Sequence, residues 1–562
     1  MACGTLAASA GPALPGVWRT LTLADGTQVR AQLKGDEFCH YFLDADGICY
    51  SLDTNSGDRY VKANLNELQL RGDELRMAAN ASRAQVRKSA ARVGQADGPI
   101  VGKKKGLIIL VQYQDTKFGT GYNQKFVNGY VNGPLTKSHT ARGFVGTVKD
   151  YFLAQSNGQF ELDFDVVGPY TLSKNVEYYG ADNGDIHDIR RGTMILEAVK
   201  AAEPDVDYAD YDWNDDGKVD QVFVLYAGHG QADGSASTTI WPHESSLTNS
   251  EVRRAYTSKD YNADGQRVTV DTYACGPELL GTKRAGIGTL CHEFAHCLGY
   301  PDMYDTSYSG NMGMGMWDLM DQGSYNGDSF CPPNFTAYEK MFAGWIQPTV
   351  LDKATSVKSV PAQDVSYGQT FIVYNDANKN EYYLLENRQN KVGLWDTALP
   401  ASGLMISHVD YDANIWSYNS VNTFRNYSYL KNDHERLTIF CADNNRVDKD
   451  GYTTPAGDLY PYNGNDELTD TSVPAAVIYN GGTRMGKPIT KITQNTDGTI
   501  DFEFMGGDPN NVIVSGINGI TVDGAAKTDD SRVFSLDGRY LGNDINAVGK
   551  GIFVQGGRKV VK

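Results

Sequence analysis

One segment, Gly286-Ile-Gly-Thr-Leu-Cys-His-Glu-Phe-Ala-His-Cys-Leu-Gly299, constrains this chain more than any other. Ile287, Leu290, Cys291, Phe294, Ala295 and Leu298 recur at helical spacing and predict one apolar face. Thr289, His292, Glu293 and His296 fall on the other side. His292 and His296 are four apart, so their imidazoles lie one turn from each other and can chelate a single ion. Glu293 follows the first ligand and is rotated off it. It is placed to hold a water on the ion without ligating the ion itself. Gly299 should end the helix in a left-handed turn, and Pro301 prevents its continuation. Asp302 then lies ten residues after His292, where a chain that turns back supplies a third ligand. Two imidazoles and a carboxylate suit Zn2+ and leave a fourth position for water. Asp305 is the alternative ligand if the turn differs. In Met312–Asp321, Met320 follows Trp317-Asp318-Leu319 and is expected in a tight turn beneath the metal.

A second oxygen-rich pattern is Asp212-x-Asn214-x-Asp216-Gly217-x-x-Asp220. Alternating oxygens can converge on one Ca2+, with Gly217 permitting the sharp turn and Lys218 contributing its carbonyl. Phe223 stands where the bidentate glutamate of an EF-hand would be, so this is not an EF-hand. Asp260-x-Asn262-x-Asp264-Gly265 starts the same way but has no later acid, and reads as a hairpin turn. His229 and His243 lack helical ligand spacing and are expected at strand ends, in a substrate cleft, or as satisfied structural histidines. His408, in an alternating apolar strand, is expected to be structural. Eight cysteines include no CxxC pair, which argues against a cysteine zinc cluster. Cys39 is expected to bridge Cys49 across a hairpin or to be a plain buried thiol, ahead of a role as a latency thiolate.

The wider chain of 562 residues divides by pattern. Residues 1–16 are small and apolar, and Ala8-Ser9-Ala10 resembles a leader cleavage site; they read as a signal peptide remnant. Residues 17–80 carry short alternating strands with turns at Asp25-Gly26 and Asp44–Gly47, a β-rich module. Residues 81–105 read as a basic linker suited to processing. Residues 106–345 alternate strands and helices, with a strand at Leu107–Gln112, helices at Gly143–Ala154 and Met194–Ala202, and a buried strand at Gln221–Ala227. Residues 346–505 return to short strands and suggest a β-sandwich-like domain. Residues 513–562 form a short C-terminal β-module. The fold class is therefore α+β. The net charge of −18 makes nucleic acid an unfavourable partner. No apolar run is long enough for a transmembrane helix.

Several blocks resemble, in order, the immune inhibitor A family of secreted bacterial metallopeptidases. They are Val148-Lys-Asp-Tyr-Phe152, Ser156-Asn-Gly-Gln-Phe160, Asp210–Gly217, Val222–Gly228, Ile240-Trp-Pro-His243, His292–Asp305, Glu381–Arg388, Ile406–Asp410 and Gly457–Pro461. The resemblance covers roughly residues 106–505 and implies a zincin/metzincin-like catalytic domain followed by a β-rich domain. It implies zinc on His292, His296 and Asp302, Glu293 as general base, and bound calcium. Residues 17–80 resemble the pro-regions of such proteins, and the last thirty or so residues resemble sorting tails. The expectation is a secreted, monomeric zinc endopeptidase made as a latent precursor, acting on proteins or peptides and attached to the cell surface if the tail is a sorting signal. The alternative is a non-catalytic surface-binding protein that keeps a degenerate protease fold.

Overall fold

The computed structural model describes residues 8–9, 11–53, 59–90, 99–183, 186–363, 369–446 and 455–514, and short strands and one turn of helix between 533 and 561. Two compact units emerge. The first is Met1–Leu153, Phe160–Pro332 and Ala413–Glu435; the second is Ala154–Gln159, Pro333–Asp412 and Arg436–Lys562. The division thus falls near residue 333, and one later stretch, 413–435, belongs with the first unit.

The first unit begins with a five-stranded antiparallel meander: Trp18–Thr22, Gln28–Gly35, His40–Asp44, Cys49–Leu52 and Tyr60–Lys62. Both expected turns are present, with Asp25 and Asp44 side chains accepting from backbone N–H groups two residues on. A helix over Leu65–Ala90 follows, where the pattern suggested only strands and a linker. Its start signal is in the sequence: Asn64 accepts from Asn66 N–H, and its amide donates to Glu67 at 3.0 Å. The basic stretch 81–105 is corrected at both ends. It is helical to Ala90, and Gly102–Gln112 is already strand. Lys103 and Lys105 pair with Glu161, Asp165 and Asp210, so strand pairing and facing acids order what looked like linker. Residues 91–98 lie outside the described residues.

The main sheet runs in the order Ala8–Ser9, His243–Ser246, Thr272–Leu280, Val222–His229, Gly102–Gln112, Phe160–Thr171. The last four strands are mutually parallel; the first two pair antiparallel. Parallel strands are covered on both faces, which explains the unbroken apolar runs Leu107–Val111 and Val222–Ala227. Leu107, Ile109 and Val111 pack with Met194, Ile195, Ala198 and Val199 of the helix Arg191–Ala202. The opposite face meets Phe294 of the helix Gly288–Cys297, through Phe164 at 5.8 Å between ring centroids. The helix expected from Gly143 begins at Val148, and Asp260–Gly265 is the expected hairpin between Tyr256–Tyr261 and Arg267–Val270.

In the second unit a five-stranded sheet contains Glu381–Arg388 and Gly403–Asp410, and a four-stranded sheet contains Thr355–Val360 and Ile500–Phe504. Val373, Leu385 and Ile406 share one apolar cluster with Val357, Phe502 and Phe504. The strands Val533–Ser535, Tyr540–Gly542, Ile552–Gln555 and Arg558–Val561 form a separate small sheet. The molecule is mixed α/β and rich in strands. None of its seven described cysteines is in a disulfide, so Cys39 and Cys49 remain separate thiols.

Candidate metal centre

The helix Gly288–Cys297 can press close to its surroundings because two glycines stand at its start. A Cβ on Gly288 would lie 1.8 Å from the Ser324 carbonyl oxygen, and one on Gly286 would lie 2.1 Å from that of Ser329. Its apolar face is buried as expected, but so is its chemical face: His292, Glu293 and His296 are all within the interior. The helix stops at Leu298, and Gly299 adopts φ +98°, the left-handed turn expected of it. The chain then returns to bring Asp302 against both histidines.

Three atoms form a nearly equilateral triangle. His296 Nε2 lies 3.2 Å from His292 Nε2 and 3.2 Å from Asp302 Oδ1, and His292 Nε2 lies 3.4 Å from Asp302 Oδ1. Tetrahedral donors about 2.0–2.1 Å from one ion stand roughly 3.3–3.4 Å apart, so the triangle has the size zinc requires. The other ring nitrogens are already used. His292 Nδ1 is 2.7 Å from the Leu319 carbonyl, and His296 Nδ1 is 2.8 Å from the Tyr300 carbonyl. Those carbonyls can only accept, so each Nδ1 carries the proton and each Nε2 presents its lone pair. Asp302 Oδ2 accepts from Asn419 at 2.6 Å, while buried Oδ1 has no hydrogen-bond partner. Burial works against the Asp302 anion, but the His296 and His292 rings outweigh it and hold the carboxyl below its usual range. The donor set and the orphaned oxygen fit a zinc ion.

Glu293 sits beside this triangle. Its Oε1 accepts from Gly11 N–H at 3.2 Å, and its buried Oε2 has no partner. Burial pushes its carboxyl well above the usual range. Met320 is fully buried in the turn below. Its carbonyl accepts from Met303 N–H at 2.8 Å, and the adjacent Leu319 carbonyl holds His292. Asp305, the alternative ligand, is turned elsewhere: its oxygens accept from Ser307, Ser309 and Asn311.

Other expected residues fall as follows. Asp212 turns its oxygens onto Asp216 N–H and Gly217 N–H, Asn214 Oδ1 also faces Asp216 N–H, and Asp216 accepts from Lys218 N–H. Asp220 accepts from Trp213 N–H, and burial with the nearby Asp216 raises its carboxyl to about 6. His229 ends its strand and pairs with Asp233 at 2.8 Å. His243 is buried between the Trp241 carbonyl and the Tyr273 hydroxyl, outside the triangle. Cys39 donates to the Leu68 carbonyl, and burial pushes its thiol up to about 12, so it is no thiolate.

Three residues near the centre carried no signal in the sequence. Asn419 holds Asp302 from 117 positions away, donating through its side chain and accepting from Asp302 N–H. Gly11 covers the site: a Cβ there would stand 3.6 Å from His292 Nε2. Glu37, in the N-terminal module, is buried with an unpartnered Oε2. Gly11 and Pro12, in the segment that reads as a leader remnant, thus lie against the centre. Ala8–Ser9 extends the sheet beside His243–Ser246, and Tyr325 donates to the Pro12 carbonyl at 2.6 Å.

Two histidines a helical turn apart, a carboxylate returning past a glycine and an adjacent buried glutamate form a candidate metallopeptidase centre. Comparison with known proteins narrows the class. Residues 103–347 match the family described as immune inhibitor A peptidase M6, catalytic domain. It is 26% identical over 284 residues to "Immune inhibitor A" of Bacillus thuringiensis subsp. alesti, covering 43% of this chain and 41% of that one. It is 28% identical over 219 residues to "Pre-pro-metalloprotease PrtV" of Vibrio cholerae serotype O1 (strain M66-2), covering 35% of this chain and 23% of that one. The match therefore spans less than half the length of either relative. Among the described residues no helix is long and apolar enough to cross a membrane.

Proposed function

We propose that this protein is a secreted zinc endopeptidase, with His292, His296 and Asp302 as ligands and Glu293 as general base. The observation that carries the reading is the triangle of two Nε2 atoms and one unpartnered carboxylate oxygen with edges of 3.2–3.4 Å. Zinc bound there would supply Lewis-acid polarisation of the scissile carbonyl and acidify a water. Glu293 Oε2 takes the proton of the attacking water and returns it to the leaving amine. Its burial keeps the proton shared between carboxylate and substrate rather than lost to solvent. The edge of His243–Ser246 that Ala8–Ser9 now occupies would, once vacated, offer backbone groups to an extended peptide adding as a strand. We place the natural substrates among proteins and peptides, and a calcium ion in the loop carrying Asp212, Asn214, Asp216, Lys218 and Asp220.

The precursor is latent in this reading. Ala8–Ser9 takes the strand position a substrate would use, and Gly11 N–H engages Glu293. Residues 17–80 serve as the pro-domain, residues 346–505 as a β-sandwich-like domain and the tail as a sorting module. Glu293→Gln should retain one zinc at the triangle and lower casein hydrolysis by about 10²–10⁴-fold. Unchanged hydrolysis would remove Glu293 from its role. Cleaving the full chain after Ala13 at an inserted protease site should raise chelator-sensitive hydrolysis at least about tenfold; no rise would end the latency reading.

A further inference from the structure

The described residues hold a second group of metal-capable side chains apart from the catalytic triangle. His40, Asp182 and His187 each offer one ligand atom within 4.8 Å of the other two. They come from distant parts of the first unit. His40 opens a strand of the N-terminal meander, while Asp182 and His187 stand next to the bridged residues Asn183 and Ile186. Asn183 and Ile186 exchange two backbone hydrogen bonds at 2.9 and 3.3 Å, which fixes the span between Asp182 and His187.

One edge of this group matches those of the His292, His296 and Asp302 triangle. His187 Nδ1 lies 3.1 Å from Asp182 Oδ2, an edge close to those of the zinc triangle. The His40 and His187 rings approach to 4.0 Å between centroids, and Trp241 stacks on His40 at 5.1 Å. His40 Nδ1 is 3.2 Å from the Asp36 carbonyl, which fixes the proton there and presents Nε2 as the ligand nitrogen. Gln231 lies against that nitrogen, with its Nε2 at 3.0 Å. Gln231 is 4% exposed, and its Oε1 has no hydrogen-bond partner. A half-turn of the amide brings this orphaned oxygen to where the NH2 group now stands. His40, Asp182, His187 and Gln231 line one cavity of about 280 Å³.

We propose that His40, Asp182 and His187, completed by Gln231, form a second site for a zinc-class divalent cation that fastens the N-terminal module to the catalytic region. Two imidazoles with one carboxylate favour zinc or its late first-row neighbours over calcium or magnesium, which prefer all-oxygen sets. The site owes nothing to the peptidase chemistry, so the two can fail separately.

The test is a zinc titration of the full-length chain in excess calcium, with bound zinc counted by atomic emission after gel filtration. Wild type should hold two zinc ions per chain. The His292→Ala/His296→Ala double variant should keep one, and its melting temperature should still rise on adding zinc. His187→Ala should keep only the catalytic ion. Asp182→Asn, the milder change, should weaken the second ion at least about tenfold. No zinc in the double variant, or a zinc count and affinity unchanged from wild type in both His187→Ala and Asp182→Asn, would overturn the proposal.

Discussion

Asp302 and Glu381 are both carboxylates buried beside histidine, one in each unit, and they differ in how their oxygens are used. Glu381 is closed. Its Oε1 accepts from His408 Nε2 at 2.9 Å and Tyr479 N–H at 2.7 Å. Its Oε2 accepts from Asn375 at 2.8 Å and from the backbone and side chain of Asn480 at 3.0 Å each. Asp302 is open: Asn419 takes Oδ2, and Oδ1 faces two Nε2 lone pairs with no hydrogen bond formed. Leaving a buried polar atom without a partner costs about 1–3 kcal/mol, and more for a charge. A fold that carries that cost at a point where three lone pairs converge is built for a ligand. A fold that satisfies every oxygen is built to hold itself together. The same distinction separates buried His243, with both ring nitrogens engaged, from His292 and His296.

Asp302→Asn gives the largest break in this comparison. Zinc affinity should fall by more than about 100-fold, exceeding the loss from an outer-shell change. In chelator-treated protein the same variant should unfold within about 1 kcal/mol of wild type, because Oδ1 has no hydrogen bond to lose and the remaining amide oxygen can still accept from Asn419. A loss of several kcal/mol in metal-free urea unfolding would instead place Asp302 with Glu381 as a structural carboxylate. Asn419→Ala should come next. It leaves all three ligands but frees Oδ2, and zinc affinity measured against a chromophoric chelator should drop about 10–100-fold. Unchanged affinity would show that Asp302 is oriented without it.

The metal helix, its glycine stop and the third ligand could be read directly from residue order, because all lie within His292–Asp302, where helical period and turn chemistry act locally. The central strands could be read for a similar reason: a run such as Leu107–Val111 is apolar because both its faces are covered. What escaped reading depends on distant partners. Asn419 is one asparagine among many until the fold sets it on Asp302. The helix Leu65–Ala90 was masked by the strand patterns before it, although Asn64 and Glu67 mark its start. Lys103 and Lys105 read as linker because the acids that face them lie 58 to 105 residues away in sequence.

The smallest expected effect sharpens the closed half of the comparison. Burial alone would raise the Glu381 carboxyl, but donors from His408, Asn480, Tyr479 and Asn375 outweigh it and hold it at about 2 against an ordinary 4.5. Between those values the folded chain binds fewer protons than the unfolded one. The carboxylate therefore contributes stability that is complete above about pH 4.5 and is lost as pH falls toward 2. Glu381→Gln sets an NH2 group against donors that all need an acceptor, and should cost about 1–2 kcal/mol near neutral pH. Amide exchange along the strand Glu381–Arg388 would report it, as faster exchange in the variant at neutral pH and converging rates in acid. A difference that persisted unchanged through the acid range would mean that side-chain shape, rather than the ionised carboxylate, holds this cluster, and openness of valence would no longer be what separates the two sites.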